Sequence, residues 1–579
     1  MVVAAAAAAA ANNCTNLYQT DWQGRILHPR LSFEQGTVRI DGAGMLEIPG
    51  AKYDERSGVP RAFGMHYTDV VRYLDESEIA YEDAVPQYVP MPAALETNMS
   101  LRDYQQDALD GWRRAAMRGC VILPTGAGKT AVGISAICEA AVPALVVVPT
   151  IDLLHQWADS VREHLLANGL RGGGTAAGAG KTAAGSAGSL EVGLLGGGSN
   201  DVRAVTIATY DSAYVRAPEL GNRFGLLVFD EAHHLPAPGY RLIAEQCIAP
   251  FRLGLTATLE REDGLHRMMP RLVGGVVYRR GAQDLAERRH LAKYDVQQIR
   301  VSLTEPEQAE YDRCRSEFLA AIKGLGMRTE SMYNLKRLIM MSNRSKKARA
   351  ALLARNRANE IAFNTEAKIA RLQDILAANC SGRDAGIAAA AHAAVATPTT
   401  TAGSGLSRKA IIFTQNNKMA YAISERFLVP IITHKTSRAE RREILSGFKA
   451  GKYVAVVTSR VLDEGVDVPD AELGVIVSGT GSGREMVQRL GRLLRPKRDG
   501  GRATLVEMVS DKTRETGSSA RRKAALRRNT AGRSSRGRVP GAKRKGASDG
   551  SSGRNSGGSG GSSGGSSGGS SGGGGGGGA

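Results

Sequence analysis

The chain has 579 residues, 42% of them hydrophobic and 23% charged, which is enough apolar sequence for two or three domains. Its net charge is +19, but about +11 of it lies beyond position 510, so the rest is only mildly basic and a nucleic-acid role must rest on motifs. No stretch approaches the roughly 18 apolar residues of a membrane span, and six singly placed cysteines exclude a paired-cysteine zinc or redox site, which favours an intracellular, reducing setting.

The first 95 residues divide into an Ala-rich leader and a small domain. Residues 1–20 contain eight consecutive alanines, lack the basic start of a signal peptide and are expected to be disordered. Residues 21–95 combine short alternating runs with Pro and Gly turns and a helix expected over 67–74, a pattern typical of a small α+β domain. By itself this region discloses no chemistry.

Residues 96–290 alternate apolar strands with helical patterns, which predicts a parallel sheet covered by helices on both faces. A Gly-, Ala- and Ser-rich stretch at 172–198 is too biased in composition to pack, so we expect it to be a surface insertion. The expected strands are 121–123, 144–148, 205–208, 226–229 and 253–255.

The sequence LPTGAGKT at 123–130 follows an apolar strand and opens a helical pattern, which is the context that a phosphate-binding loop requires. Gly126 and Gly128 would let backbone N–H groups surround the phosphates at a helix N-terminus. Lys129 would reach the β and γ phosphates of ATP, and Thr130 would hold Mg²⁺. The segment therefore predicts a site for ATP and Mg²⁺.

A second copy of GAGKT provides a comparison within the same chain. It lies at 178–182, inside the Gly/Ala-rich insertion, and no apolar strand precedes it. Without a strand and a helix to orient the amides, the short string has no means of enclosing phosphates. We therefore expect only the first copy to bind nucleotide.

The strand expected at 226–229 ends in a DEAH sequence that begins with Asp230 and Glu231. At the end of a strand, Asp230 would meet the Mg²⁺ shell while Glu231 activates the attacking water, which is the division of roles that phosphoryl transfer needs. The alternative interpretation is a turn with two solvated acids. The phosphate-binding loop upstream favours the catalytic interpretation.

Residues 291–380 have a mostly helical pattern. In its last helix, Ile369, Leu372 and Leu376 are spaced one and two turns apart and form an apolar face. An Ala-rich linker is expected at 381–406.

A second strand-and-helix block runs from 407 to 510 and predicts a second parallel sheet. Residues 511–579 are first rich in Arg and Lys and then almost pure Gly and Ser, so we expect a disordered tail. The strands expected in the second block are 410–414, 454–458, 474–478 and 503–509.

Near the end of the second block, QRLGRLLR begins at Gln488 in a helical pattern. Arg492 and Arg495 lie three residues apart and share a helix face, from which two guanidinium groups would reach the γ-phosphate across a domain cleft. Such arginines can accelerate hydrolysis by roughly a thousandfold or more. A surface helix stabilised by ion pairs is the alternative.

Taken in order, these segments resemble the motif set of superfamily 2 helicases, over roughly 101–509 apart from the insertions. The resemblance implies an α/β protein with two RecA-like motor domains, in which Arg102 and Gln105 sense adenine. It further implies that Gly465 and Asp467 face the nucleotide and the other lobe. The residues implied to contact the nucleic-acid strand are Thr150, Gln156, Thr209 and Thr458.

Directly after the TAT sequence that resembles motif III, Arg261, Glu262 and Asp263 match the RED motif that marks the XPB family. The helical segment that follows resembles the XPB thumb, and the match implies that these three residues act in DNA binding and unwinding. It also implies that 21–95 corresponds to a damage-recognition region. The length is closer to archaeal and bacterial forms, and the scattered cysteines argue against the related XPD helicases, whose iron–sulfur cluster needs four thiolates.

The XPB resemblance implies ATP-dependent opening of duplex DNA with 3'-to-5' polarity, in repair or transcription. Its implied partners are single-stranded or junction DNA and a repair nuclease or a transcription and repair complex, in the nucleus of a eukaryote or in the cytoplasm and nucleoid of a prokaryote. Three alternatives stay open at this point. They are a duplex DNA translocase that seldom separates strands, a related RNA helicase, and a non-catalytic nucleic-acid scaffold.

Overall fold

The computed structural model is an α/β protein with three larger sheets, one in a small N-terminal unit and one in each of two lobes. None of the helices in the described part of the chain is long and apolar enough to cross a bilayer. The described residues are 28–44, 46–91, 95–167, 190–261, 263–288, 290–291, 294–327, 332–380, 408–459, 471–479 and 503–530.

The N-terminal unit is a five-stranded sheet with one helix. Its strands are ordered β3-β4-β2-β1-β5, and the helix buries Val70 and Leu74 against Leu31, Val38 and Ile40 of the sheet. The helix begins where the sequence predicted and ends two residues later. The elements are β1 (Arg30–Glu34), β2 (Thr37–Asp41), β3 (Ala51–Asp54), β4 (Val59–Phe63), α1 (Tyr67–Glu76) and β5 (Glu82–Asp83).

The first lobe, residues 95–291, contains an eight-stranded sheet and its covering helices. The helices are α2 (Asp103–Arg114), α3 (Lys129–Ala140), α4 (Ile151–His164), α5 (Tyr210–Leu220), α6 (Arg241–Glu245), α7 (Met269–Leu272) and α8 (Ala282–Glu287). The strands are β6 (Leu95–Thr97), β7 (Arg118–Ile122), β8 (Ala144–Val148), β9 (Leu165–Ala167), β10 (Val192–Gly196), β11 (Ser199–Asn200), β12 (Val205–Thr209), β13 (Leu226–Asp230), β14 (Phe251–Thr256) and β15 (Val276–Arg279).

The strand order of the eight-stranded sheet is β11-β10-β12-β8-β13-β14-β7-β15, and every neighbouring pair is parallel except β10 with β11. The central strands β8, β12 and β13 are buried along their whole length because helices cover both faces. In a parallel sheet all carboxyl ends meet at one edge, where ligands of such folds bind. The loops that follow β7, β8, β12, β13 and β14 therefore converge on this carboxyl edge.

Strand β10 lies inside the stretch 172–198 that the composition assigned to an insertion. Val192 and Leu195 are buried, and β10 pairs with β12 in the sheet. The predicted end of the insertion at 198 is therefore wrong, because residues Val192–Gly196 form a strand of the sheet. The sequence did not indicate this strand, since it is stabilised by pairing with β12 further along the chain. Residues 168–189, with the second GAGKT, lie outside the described residues.

The second lobe, residues 294–530, has a six-stranded sheet of order β16-β21-β20-β17-β19-β18 in which all neighbours are parallel. Its strands are β16 (Tyr294–Val301), β17 (Ala410–Thr414), β18 (Ile431–Ile432), β19 (Ala455–Ser459), β20 (Leu473–Ile476) and β21 (Ala503–Ser510). Its helices are α9 (Glu305–Gly324), α10 (Met332–Ser342), α11 (Lys346–Asn364), α12 (Glu366–Cys380), α13 (Asn417–Phe427), α14 (Arg438–Ala450) and α15 (Arg514–Thr530).

The second sheet begins earlier in the chain than the sequence predicted. Strand β16 pairs with β21 along all eight of its residues, although the sequence placed 291–380 in a helical region outside the second domain. The apolar face of α12, with Leu372 and Leu376, joins the core formed by Ile412 and Ile423. Only α9 to α11 therefore form a separate helical insertion. The sequence missed β16 because its alternation is imperfect and its partner lies about two hundred residues away.

The basic stretch after position 511 is also not a uniformly disordered tail. It begins with α15, whose Arg522 donates from Nε to Glu507 Oε1 at 2.6 Å, and both side chains are buried. Ser519 donates to the same carboxylate at 2.7 Å. The many Arg and Lys residues suggested a segment exposed to solvent. The Arg522 guanidinium is nevertheless buried, because the buried carboxylate of Glu507 on β21 pairs with it. Residues 531–579 and 381–407 lie outside the described residues.

Replacing Arg522 with methionine should destabilise the second lobe by about 3–5 kcal/mol, because the buried Glu507 carboxylate loses its cation. The adjacent Arg521 is exposed, so Arg521→Met is the matched control and should change stability by less than about 0.5 kcal/mol. Urea-induced unfolding followed by circular dichroism measures both variants. Equal transitions in the two variants would show that the buried pair does not stabilise the lobe.

Candidate active site

The phosphate-binding loop lies between β7 and α3, at the carboxyl edge of the first sheet. Gly126 and Gly128 are exposed and have φ angles of +84° and +72°, the left-handed region in which glycine is not strained. Helix α3 begins at Lys129, and its residues 131–137 are buried, so the helix is fixed in the core. The N–H groups at the start of this helix lie at the open edge, which is the arrangement that binds phosphate.

Helix α2 supports this loop from behind. Gln105 is buried, and its Nε2 donates to the carbonyls of Ala127 at 3.0 Å and Gly128 at 3.3 Å, while its Oε1 accepts from the Arg102 amide at 2.9 Å. The Tyr104 hydroxyl donates to the Ala127 carbonyl at 2.9 Å. A Cβ atom at position 128 would lie 2.5 Å from Gln105 Nε2. Gln105 thus shapes the loop, and adenine sensing by Arg102 and Gln105 stays a prediction.

The two acids follow β13 at the same edge. Asp230 is buried, with Oδ2 accepting from Trp157 Nε1 at 2.8 Å and Oδ1 accepting from the Glu231 amide at 2.9 Å. Burial raises the pKa of Asp230, as does the Glu231 charge, whereas Lys129 and the Trp157 N–H act in the opposite direction. Lys129 Nζ lies 3.9 Å from Glu231 Oε1. The fold therefore brings Lys129, Asp230 and Glu231 together as the sequence predicted.

The end of β14 contacts the same group of residues. The Thr256 hydroxyl lies 3.1 Å from His233 Nδ1 and 3.5 Å from Glu231 Oε2, and it donates to the Thr258 carbonyl at 2.9 Å. His233 Nδ1 lies 3.4 Å from Glu231 Oε2. The TAT sequence therefore contacts the acid that is predicted to activate water.

Arg261 of the RED sequence holds the back of the DEAH turn. Its Nη1 donates to the His233 carbonyl at 2.6 Å, and its Nε and Nη2 form a fork on the Asp263 carboxylate at 2.9 and 2.6 Å. The hydrogen bond from Arg261 lowers the pKa of Asp263 to about 2. Arg261 thus links the RED sequence to the DEAH turn. Contact of these residues with DNA stays a prediction, and Glu262 lies outside the described residues.

Two of the residues predicted to contact the nucleic-acid strand cap helices at the carboxyl edge. Thr150 accepts from the Leu153 amide, and Thr209 accepts from the Ser212 amide, each at 3.2 Å, so they begin α4 and α5. Gln156 is half-buried on α4. In the second lobe, Thr458 is buried near the carboxyl end of β19, with its carbonyl 3.3 Å from the Thr414 hydroxyl.

Comparison with known proteins places this site in a family. A model of the xeroderma pigmentosum group B helicase damage recognition domain matches residues 31–85, one of the type III restriction enzyme res subunit matches 98–261, and one of the ERCC3/RAD25/XPB C-terminal helicase matches 405–529. The DNA 3'-5' translocase XPB2 of Sulfurisphaera tokodaii is 38% identical over 475 residues, which cover 82% of this chain and 96% of that protein. The chain belongs to the XPB family of helicases.

Other XPB relatives are longer than the part that matches. The DNA 3'-5' helicase XPB of Mycobacterium tuberculosis is 29% identical over 421 residues, and the match covers 71% of this chain and 60% of the relative. The XPB subunit of general transcription and DNA repair factor IIH of Schizosaccharomyces pombe is 26% identical, covering 78% of this chain and 48% of that subunit. Membership of this helicase family implies that the chain uses ATP.

Besides Glu262, five predicted residues of this XPB-family chain fall outside the described residues, so their roles stay predictions. They belong to the segments 460–470 and 480–502, which would supply the second lobe's contribution to the nucleotide site. These residues are Gly465, Asp467, Gln488, Arg492 and Arg495.

Trp157 of this XPB-family chain is a residue of the site whose role the sequence alone does not indicate. Its indole is buried beside α3, so that a Cβ atom at position 133 would lie 2.5 Å from the ring, and its N–H is the donor to Asp230. One signal was available in the sequence: a tryptophan on the apolar face of a helix needs an acceptor for its N–H. The sequence did not indicate that Asp230, 73 positions away, is that acceptor.

In the XPB-family site, Trp157→Phe should slow ATP hydrolysis about 3- to 10-fold and shift the acid limb of the pH–rate profile to higher pH. The indole N–H stabilises the ionised form of Asp230, whose pKa burial already raises, so loss of this donor raises that pKa further. The carboxylate is the form that holds a cation, so activity is lost earlier as pH falls.

The control for this XPB-family variant is Trp112→Phe. Trp112 is buried in the same lobe, but its N–H donates to the Arg252 carbonyl, away from the acids. Its replacement should lower thermal stability without moving the pH–rate profile, as measured by kcat from about pH 5 to about pH 9. The same displacement of the profile in both variants would contradict the proposed role of Trp157.

Proposed function

We propose that this XPB-family chain hydrolyses ATP to move along duplex DNA with 3'-to-5' polarity and to open it. One observation carries the proposal: Lys129 Nζ and the carboxylates of Asp230 and Glu231 meet at the carboxyl edge of the first sheet, directly beside the phosphate-binding loop. Support for DNA as the track comes from relatives whose names are DNA 3'-5' translocase and DNA 3'-5' helicase.

In the proposed reaction the N–H groups of the loop and the Lys129 ammonium bind the β and γ phosphates. Glu231 takes a proton from the attacking water at its carboxylate. Its Oε2 lies 3.4 Å from His233 Nδ1 and 3.5 Å from the Thr256 hydroxyl. Lys129 also offsets the charge that develops on the transferred phosphoryl group. These roles require a loop of fixed shape, which Gln105 provides from behind.

Thr130 and Asp230 are the residues that would hold Mg²⁺, whose charge would neutralise the phosphate oxygens. Asp230 fits this role because its buried carboxylate is oriented by Trp157 and by the amide of the next residue. No cluster of three or more metal-ligating side chains occurs within the described ranges. Magnesium in a nucleotide site needs only one or two protein ligands, since phosphates and water complete its shell.

Movement requires the second lobe. In the proposed cycle Arg492 and Arg495 reach the phosphates when the lobes close, and hydrolysis releases them. A contact between the lobes supports this arrangement: Arg441 Nη1 on α14 donates to Asp152 Oδ2 on α4 at 2.7 Å, in the first turn of a helix that starts at the carboxyl edge. Residues such as Thr150 would contact the DNA strand mostly at its phosphates. DNA binding should therefore weaken steeply as the salt concentration rises.

Measuring ATPase activity with duplex DNA, single-stranded DNA and RNA tests the proposal. We expect DNA to stimulate hydrolysis and RNA to have little effect. Stimulation by RNA alone would instead favour the RNA helicase, and no stimulation by any polymer would overturn the proposal. A strand-displacement assay beside a triplex-displacement assay separates opening of the duplex from movement along it. Triplex displacement without strand separation would show that the protein is a duplex DNA translocase that does not open the duplex.

We further propose that the chain acts within a repair or transcription assembly, in the compartment that holds the DNA. The eukaryotic XPB relatives carry the name of a subunit of general transcription and DNA repair factor IIH. A repair nuclease is the other partner class suggested by the family. Affinity purification of the chain before and after DNA damage, followed by mass spectrometry, tests both. Recovery of neither class would contradict this part of the proposal.

A further inference from the structure

A buried tyrosine lies between a helix that we expect to contact DNA and the turn that carries the hydrolytic acids. Tyr210 directly follows Thr209 and is the first residue of α5. Its side chain is 1% exposed, and its hydroxyl donates to the backbone carbonyl of Asp230 at 3.1 Å. Neither the motif set nor the proposed reaction assigns a role to this hydroxyl.

The accepting carbonyl belongs to the peptide that joins Asp230 to Glu231. The N–H of the same peptide donates to Asp230 Oδ1 at 2.9 Å, so both polar ends of the peptide are held. Glu231 has a φ angle of +46°, a left-handed conformation that residues other than glycine adopt only when their surroundings impose it. Rotation of this peptide would move the Glu231 carboxylate relative to Lys129. The Tyr210 hydroxyl is one of the groups that oppose that rotation.

Aromatic rings hold Tyr210 in place. Its ring centroid lies 5.1 Å from that of Tyr240, 5.8 Å from that of His234 and 6.4 Å from that of Phe229. The Tyr240 hydroxyl donates to Asp211 Oδ1 at 2.7 Å. The segment that follows the DEAH turn therefore folds back onto the first turn of α5, so that a shift of either element displaces the other.

The other side of the same first turn is open. Asp211, Ser212 and Arg216 line a groove of about 450 Å³ together with the glycines that follow β10. The first turn of α5 lies at this groove through Asp211 and Ser212, and the Ser212 amide donates to the Thr209 hydroxyl. A nucleic-acid backbone would make its contacts there. One side of the first turn of α5 thus faces the expected position of the DNA strand. The other side contacts the DEAH turn through Tyr210.

We propose that Tyr210 is a positioning residue that transmits contact of DNA at the first turn of α5 to the peptide between Asp230 and Glu231. The inference rests on the proposed function. When DNA seats on α5, the tyrosine hydroxyl fixes the Glu231 carboxylate in the orientation that activates water. DNA stimulation of ATP hydrolysis therefore depends on one hydroxyl group that touches neither DNA nor ATP.

The test compares Tyr210→Phe with wild type in steady-state ATPase assays with and without duplex DNA. We expect DNA-stimulated kcat to fall about tenfold, while KM for ATP and Kd for duplex DNA stay within about twofold. The matched control is Tyr214→Phe, which removes a hydroxyl from a half-exposed tyrosine one turn further along α5 and should behave as wild type. The thermal unfolding midpoint is measured for all three proteins.

Wild-type stimulation in Tyr210→Phe would overturn the inference and leave the proposed function standing. An equal fall in basal and stimulated rates together with a lower unfolding midpoint would also overturn it, because that pattern indicates a purely structural tyrosine. Wild-type protein that DNA does not stimulate would overturn the proposed function and the inference with it. A loss of stimulation confined to Tyr210→Phe would support the inference.

Discussion

Replacing Lys129 with alanine should reduce ATP hydrolysis about 10²- to 10³-fold, because the ammonium that binds the phosphates and offsets their developing charge is lost. The chain contains its own control, since GAGKT occurs twice. Lys181→Ala in the second copy should leave kcat and KM at wild-type values. Both variants are measured in the same ATPase assay with saturating duplex DNA.

Equal losses in the two lysine variants would show that the context of a strand and helix does not distinguish the two copies. Wild-type activity as slow as that of Lys129→Ala would revive the interpretation as a non-catalytic scaffold. The expected contrast has a physical origin in the first copy: two left-handed glycines lie at the start of a helix buried in the core, with Gln105 bonded to the loop carbonyls.

Replacing Glu231 with glutamine should lower kcat about 10²- to 10⁴-fold while ATP binding changes little, because the amide keeps the shape of the side chain but does not accept the proton of the attacking water. The variant should therefore accumulate as an ATP-bound form. Single-turnover hydrolysis together with binding of a fluorescent ATP analogue separates these two effects. The structure motivates the variant through the contacts of Glu231 with His233 and Thr256.

Glu260→Gln is the matched control for this second variant. Glu260 also follows a strand of the first lobe, but its carboxylate pairs with Arg279 at 2.9 Å, not with the phosphate-binding residues. We expect its kcat to stay within about twofold of wild type. Hydrolysis by Glu231→Gln at the wild-type rate would assign the general base to another residue. A loss of ATP binding as large as the loss of kcat would assign Glu231 to substrate binding instead.

The expected roles of Lys129 and Glu231 differ in how far they depend on neighbours. Lys129 acts at the end of a loop that is shaped by two left-handed glycines and supported by one neighbouring residue, Gln105. Glu231 sits in a strained turn that Thr256, Arg261 and the buried Tyr210 hold from three different elements. Substitutions of these supporting residues should therefore lower kcat more than they raise KM, since they change how water is activated and leave the phosphate contacts in place.

The sequence alone determined the parts of this protein that depend on local patterns. The runs at 144–148 and 410–414 are strands with the predicted bounds, because short runs of mostly apolar residues are typical of strands buried on both faces of a parallel sheet. The strand before the first GAGKT and the helix after it are present, and the DEAH sequence lies at the end of a strand. Each of these inferences needed no more than about ten neighbouring residues.

Only the tertiary structure decided the features that join distant parts of the chain. Trp157 reaches Asp230 and Tyr210 reaches the same turn from 20 positions away, while β16 pairs with β21 across the helical insertion. Alternation of polar and apolar residues shows which side of a strand is buried, but it does not name the neighbour. The same limit applies to charged residues such as Arg522. Its guanidinium can be buried only because the Glu507 carboxylate pairs with it, and the sequence does not show that the fold brings these two residues together.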